Sequence, residues 1–101
     1  MPLVMIPFQP TWRPAVLAGT KTTTVRTKRF GTVGDEFLIE STLFRLVAVD
    51  AMTLALARDR CWRSDGFGSA EEFERAWVEN HPTRAWRATD SVWVHAFERV
   101  R

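Results

Sequence analysis

A chain of 101 residues, 46% of them apolar, is long enough to bury one core and is expected to form a single domain. No apolar run is long enough to span a bilayer, and the apolar start of the chain is short, lacks a basic leader and contains two prolines. A membrane span and a signal peptide are therefore not expected, whereas a cytoplasmic location is. The formal charge of +2 does not by itself indicate nucleic-acid binding, although twelve of the fourteen basic residues are arginine.

The first half of the chain predicts short strands around one short helix. Residues 3–8 predict a strand, and residues 11–18 a helix with Thr11 as its N-cap and Pro14 in its first turn. Gly19 is expected to end this helix, because glycine readily takes the positive φ of a helix C-cap. Three further strands are predicted at 22–27, 36–40 and 43–51.

The second half predicts two helices and a final strand. Thr53 caps the first helix, and Ser69 with Glu72 forms a capping box at the start of the second. These elements are expected at 53–60, 69–81 and 91–99. The strands lie too close together along the chain for βαβ units, which favours an α+β fold with a barrel-like sheet.

Hydroxyl and basic side chains follow one another just after Gly19. In an extended strand, Thr22, Thr24 and Arg26 point to the same face, and Lys21 lies at the mouth of the strand. A row of hydroxyls beside positive charge suits a polar or anionic ligand. The alternative is a solvent-exposed, threonine-rich strand with ordinary surface charges, and periodicity alone favours that alternative.

Three tryptophans are each followed by an arginine, at Trp12–Arg13, Trp62–Arg63 and Trp86–Arg87. Aromatic rings stack on unpaired bases, and guanidinium groups bind phosphate in a bidentate manner. Trp62, Arg63, Trp86 and Arg87 are therefore candidate ligand-binding residues. The alternative is that arginine reflects a GC-rich genome and that the tryptophans belong to the core.

The cysteine and histidine residues do not predict a metal site. Cys61 is the only cysteine, so it forms no internal disulfide, and it is expected to be a small buried residue. His81 and His95 lack a third ligand at metal-binding spacing. Neither a metal nor a cofactor is expected, and His95 is expected to be a packed or hydrogen-bonded side chain.

Two ordered motifs resemble the ASCH domain family. The first is G-x-K-T-x-T-x-R at residues 19–26, and the second is G-F-x-S-x-E-E-F-x-x-x-W at residues 66–77. The resemblance extends from Phe8 to Phe97. It implies that residues 1–101 form one domain, a small PUA-like β-barrel of about five or six strands with two or three flanking helices. It also implies that RNA or a nucleotide is the partner, bound in a cleft beside the helices.

Some small bacterial ASCH proteins are amidohydrolases that remove the acetyl group from the exocyclic amine of acetylcytidine. The resemblance places their lysine at Lys21 and their threonine at Thr24. Their glutamate falls at Asp65 or Gly66, so an aspartate, one methylene shorter, is the available acid. These positions imply Thr24 as nucleophile, Lys21 as base and Asp65 as acid.

Two function classes remain open at this point. One is an RNA- or nucleotide-binding module in which Lys21, Arg26 and Arg87 hold phosphate while a base stacks on Trp62 or Trp86. The other is an amidohydrolase that deacylates acetylcytidine-type nucleosides; RNA cleavage by the same lysine and a carboxylate is a third, weaker alternative. A steep salt dependence of binding indicates RNA, whereas turnover of free acetylcytidine indicates the hydrolase.

Overall fold

The computed structural model describes residues 3–100 of the chain. Within them, three helices and four strands occur in the order α1 (Arg13–Ala18), β1 (Thr23–Arg26), β2 (Glu36–Ile39), β3 (Thr42–Thr53), α2 (Leu54–Cys61), α3 (Ala70–Asn80) and β4 (Ser91–Arg99). The strands form one antiparallel sheet in the order β1–β4–β3–β2, which curls into a half-barrel. The α+β class is confirmed. The expected five or six strands are not, since the described residues contain four.

The missing strand is the one predicted at residues 3–8. Leu3 makes a single parallel bridge to Glu36, and the Val4 amide donates to the Glu36 carbonyl at 2.8 Å. The pairing goes no further along the segment. Ile6 and Phe8 are buried, but Pro7 between them has no amide hydrogen to donate to a ladder. The segment therefore packs its side chains against the sheet without forming a strand.

The helix termini follow local capping chemistry with one exception. Thr53 and Ser69 cap α2 and α3, accepting from the amides of Leu56 at 3.3 Å and of Glu72 at 3.1 Å. In a capping box the Glu72 carboxylate would accept from the amide of Ser69. Here it accepts from the amide of the preceding residue, Gly68, at 2.6 Å. The predicted Thr11 cap is wrong, because α1 begins after Trp12 and has no side-chain cap.

Two hydrophobic clusters, rather than one core, hold the sheet and helices together. We call the first the phenylalanine cluster; it consists of Ile6, Phe8, Val16, Phe37, Ile39, Phe44, Leu46 and Phe97. The second, which we call the helix cluster, consists of Val25, Leu54, Ala57, Cys61, Phe73, Trp77, Val92 and Val94. Cys61 is a buried free thiol, as expected. β4 contributes Phe97 to the phenylalanine cluster and Val92 and Val94 to the helix cluster, and β1 pairs with β4. The polar residues of β1 therefore lie near the boundary between the two clusters.

Candidate functional site

A cavity of about 320 Å³ lies between the N-terminal segment, β1 with the loop after it, and α3 with the loop before it. Residues of both hydrophobic clusters line it. Its aromatic wall consists of Phe8, Trp12, Phe30, Phe67, Phe73 and Trp77. Its charged groups are Lys21, Arg26, Lys28 and Asp65. The cavity therefore combines flat apolar surfaces with a few polar groups, the usual make-up of a small-molecule site.

A buried ion pair forms the polar end of the cavity. Lys21 Nζ lies 3.2 Å from Asp65 Oδ1, and the two side chains are only 5% and 9% exposed. Lys21 Nζ also donates to the Asp65 carbonyl at 2.9 Å and lies 4.9 Å from the centre of the Trp12 ring. This ammonium thus has two oxygen acceptors and a π face around it.

Burial moves both members of the pair toward neutrality. Burial lowers the pKa of Lys21, although the Asp65 charge opposes this change. Burial raises the pKa of Asp65, against the opposing effect of Lys21. A proton is therefore easier to move within or out of this pair than in two separate, solvated side chains.

Hydrogen bonds between β1 and the loop before α3 place Asp65 opposite Lys21. The amides of Thr22 and Thr23 donate to the Ser64 carbonyl at 2.7 and 3.2 Å. The Thr23 hydroxyl donates to Asp65 Oδ1 at 3.1 Å and lies 2.9 Å from the Ser64 hydroxyl. Within the described residues, Asp65 Oδ2 forms no hydrogen bond, so this oxygen can accept from a ligand.

Arg26 is fixed on the other side of Thr24. Its Nε donates to Thr24 Oγ1 at 2.8 Å, and its Nη2 donates to the Pro7 carbonyl at 2.6 Å. The guanidinium lies over the rings of Phe8 and Phe30, 5.1 and 5.3 Å from their centres. Nη1 has no hydrogen-bond partner among residues 3–100, which leaves a positioned donor for an oxygen of a ligand.

The structure brings Lys21, Thr24, Arg26 and Asp65 to one cavity and places the other predicted site residues outside it. Thr22 precedes β1, is exposed, and lies at a different surface from the cavity. There it lines a shallow groove with Trp62 and Arg63. The Arg63 guanidinium lies 4.9 Å from the centre of its neighbour's ring.

The third tryptophan–arginine pair is also outside the cavity. The guanidinium carbon of Arg58 lies 5.3 Å from the centre of the Trp86 ring. Arg87 is exposed on the loop before β4. Sequence reasoning found neither Trp12 nor Thr23 as part of the site. Gly66 signals a place where the backbone can be approached closely, but no feature of the sequence identifies Trp12 as the side chain that packs there.

Gly66 leaves room for Trp12, and its replacement is expected to disturb the cavity. Gly66 has φ +100°, and a Cβ there would lie 2.8 Å from Trp12 Cζ3. We expect Gly66→Ala to cost about 1–2 kcal/mol for the left-handed backbone and a further amount for displacing the indole.

Gly19→Ala is the matched control, because Gly19 has φ +82° and no atom lies within 4 Å of the position that a Cβ would take. Urea denaturation measures both losses, and tryptophan fluorescence reports the displacement. Equal losses in the two variants would show that Trp12 does not depend on Gly66.

Neither a metal cluster nor a membrane span emerges from the described part of the chain. No group of three or more His, Cys, Asp or Glu side chains in residues 3–100 is arranged to hold a metal ion. None of the helices within that range has the length and apolar character needed to cross a bilayer. The fold and the cavity define a class of protein: a small α+β domain whose half-barrel sheet and helices enclose an aromatic-walled cavity with a lysine–aspartate pair.

Comparison with solved structures identifies the fold. The ASCH domain from Lactobacillus crispatus superposes with a TM-score of 0.74 at 10% identity, over 97% of this chain and 79% of that one. The ASCH protein from Zymomonas mobilis superposes with a TM-score of 0.72 at 14% identity, over 98% of this chain and 71% of that one. The Enterococcus faecalis protein EF3133, which belongs to DUF984, superposes with a TM-score of 0.67 at 17% identity. The match covers 89% of this chain and 67% of that one.

This chain therefore has the fold of the ASCH domain, and the resemblance carried by its two motifs is confirmed at the level of the fold. No family model and no curated protein sequence matches the chain.

Proposed function

We propose that the cavity binds one nucleotide unit, either a free nucleoside or nucleotide or an unpaired residue of RNA. The observation that carries this proposal is the combination of aromatic walls with a donor and an acceptor held in fixed positions. Arg26 Nη1 can donate to a carbonyl or phosphate oxygen, and Asp65 Oδ2 can accept from an amino group. Base edges present both kinds of group, and base faces stack on aromatic rings.

The size of the cavity favours one nucleotide unit over a longer stretch of chain. A volume of about 320 Å³ is at the lower end of small-ligand sites, which span roughly 300–1,000 Å³. Lys28, at the rim beside Phe30, adds a positive charge where a phosphate would leave the cavity. The resemblance to ASCH domains supports the same ligand class.

Calorimetric titration with nucleosides, nucleotides and short single-stranded RNA tests the proposal. Arg26→Met is expected to weaken binding by about 1.5–3 kcal/mol, because it removes a charged hydrogen-bond donor. Arg63→Met is the matched control, since Arg63 lies outside the cavity, and it should bind as the unmodified protein does. Absence of binding to all three ligand types, or equal losses in the two variants, would contradict the proposal.

Salt dependence separates the free ligand from RNA. The affinity for single-stranded RNA falls with salt by a logarithmic slope of about 0.7 for each neutralised phosphate. A nucleoside carries no phosphate, so its affinity should hardly change. If the affinity for RNA did not change with salt, the cavity would bind a single nucleotide unit, and the rest of the strand would make no ionic contacts with the protein.

A second candidate function is hydrolysis of an acylated nucleoside. In this reaction Thr24 Oγ1 attacks the acyl carbon and passes its proton to Lys21. The carbon–nitrogen bond then breaks as Asp65 protonates the leaving amine, and water releases the acyl group from Thr24. The hydrogen bond from Arg26 Nε to Thr24 Oγ1 favours this candidate, because a guanidinium stabilises a developing alkoxide.

The second candidate requires Lys21 to change partners. In the structure, Lys21 Nζ donates to Asp65, and within residues 3–100 no hydrogen bond joins Lys21 to Thr24. A base also has to be neutral, and the burial that lowers the pKa of Lys21 acts in that direction. Binding of a nucleotide unit needs no such rearrangement, so it is the function that the geometry supports best.

Substitution of Thr24 by alanine discriminates between the two functions. If Thr24 is the nucleophile, turnover of acetylcytidine should be lost in Thr24→Ala. If the protein only binds, the variant should lose about 1 kcal/mol of affinity, the value of one hydrogen bond. Thr22→Ala removes the same atoms outside the cavity and serves as the control. Undiminished turnover in Thr24→Ala would exclude this hydrolytic mechanism.

A further inference from the structure

His95 is a fully buried histidine that uses both of its ring nitrogens. The Phe30 amide donates to Nε2 at 3.0 Å, and Nδ1 lies 3.3 Å from the Thr24 carbonyl. A carbonyl oxygen only accepts, so Nδ1 carries the hydrogen and Nε2 offers its lone pair. These two partners together require a neutral ring in a single tautomer.

The two partners of His95 belong to two walls of the cavity. Thr24 lies on β1, whereas Phe30 lies on the loop between β1 and β2. The Phe30 ring packs edge-on against the imidazole, with 6.0 Å between the ring centres. The same Phe30 ring carries the Arg26 guanidinium at 5.3 Å and the Lys28 ammonium at 5.1 Å. The imidazole therefore holds the surface on which both cations rest.

We propose that neutral His95 is a positioning residue that fixes the Lys28–Phe30 wall of the cavity, and that protonation of its ring releases this wall. A protonated imidazole has no acceptor left for the Phe30 amide. It would also add a positive charge close to Arg26 on β1 and Arg29 on the loop. The facing residues on the two flanking strands, Thr24 and Val49, carry no charge that could offset it.

The direction of the pH dependence follows from this arrangement. Burial lowers the pKa of His95 below its ordinary value near 6.5, so the folded protein keeps the neutral ring into weak acid. The contribution of His95 is complete above that ordinary value and is lost as the pH falls through the lowered one. Release of the wall is therefore expected on the acid side of neutrality, whatever ligand the cavity takes.

Hydrogen exchange of the Phe30 amide in the native protein tests the proposal. The reference is the Phe97 amide, which donates to the Thr22 carbonyl at 3.0 Å and reports the pairing of β1 with β4. Between pH 8 and 5 the protection factor of Phe30, corrected for intrinsic exchange, should fall roughly tenfold, about the effect of one hydrogen bond. That of Phe97 should change much less.

Two variants separate positioning from a general structural role. His95→Gln places an amide oxygen near the Nε2 position and cannot titrate, so its Phe30 protection should stay constant with pH. His95→Asn retains a donor near Nδ1 but does not reach Phe30, so its Phe30 amide should exchange fast at every pH while Phe97 remains protected.

A flat Phe30 profile in the unmodified protein would overturn the proposal, as would the same pH response in His95→Gln. If His95→Asn does not fold, the comparison of the unmodified protein with His95→Gln still decides. The inference goes beyond the proposed function, because none of these measurements uses a ligand. A failure to bind nucleotides would leave the result unchanged.

Discussion

Replacing Lys21 alone by methionine is expected to destabilise the fold by about 3–5 kcal/mol, because it leaves a buried carboxylate without its counter-charge. The loss is a large fraction of the stability of a domain of this size. Methionine keeps the length and the apolar stem of the side chain, so the effect reports the ammonium and not a cavity. Urea denaturation at pH 7 measures it.

The loss in Lys21→Met should shrink in acid. Burial raises the pKa of Asp65, and removal of Lys21 removes the charge that most opposes this rise. The folded variant then keeps a proton on Asp65 at pH values where the unfolded chain, with a carboxyl pKa near 3.9, has lost it. Stability falls as the pH rises wherever the folded state binds more protons, so the stability deficit of the variant relative to the unmodified protein should be smallest near pH 4 and should grow toward pH 7.

The double variant Lys21→Met with Asp65→Leu is the control. Replacing both members of a buried pair by apolar residues is often neutral or stabilising, so most of the lost stability should return. Ligand binding should not return, because the acceptor on Asp65 is gone. A single variant as stable as the unmodified protein at pH 7 would show that the pair is not a buried ion pair in solution.

Replacing Phe37 by alanine is expected to cost about 3–5 kcal/mol through the cavity that it leaves. Phe37 is 1% exposed, stacks on Phe8 and Phe44 with ring centres 6.1 and 5.6 Å apart, and meets the edge of Phe97 at 5.3 Å. The effect should reach the site, because Phe8 also lies under Arg26. Ligand affinity should therefore fall together with stability.

Phe37→Leu keeps most of the volume and should lose clearly less stability and little affinity. Denaturation curves and titrations of the two variants provide the comparison. If Phe37→Ala lost stability but bound its ligand normally, Phe8 would not transmit the change to Arg26.

The sequence alone predicted those features of the structure that depend on residues close together in the chain. The caps at Thr53 and Ser69 and the helix end at Gly19 were predictable because each depends on a few local contacts. The side chains of residues 21, 24 and 26 reach one cavity because the helix end and a short strand follow each other directly.

The rest depends on contacts between distant parts of the chain. Trp62 is half-buried against the helix cluster, and the exposed guanidinium of Arg63 lies over its ring, which composition could not reveal. Trp12 lies against both Lys21 and the backbone at Gly66, which is distant in the sequence. The expected strand at 3–8 failed because burial of alternate residues resembles a strand pattern even where a proline prevents pairing.

The division of the apolar interior into two clusters has a mechanical consequence. A ligand seated at their boundary would touch Phe8 and Phe30 on one side and Phe73 and Trp77 on the other, and would add apolar contacts that join the two clusters. The ligand-bound protein should then unfold in one thermal transition, and its melting temperature should rise as ligand is added.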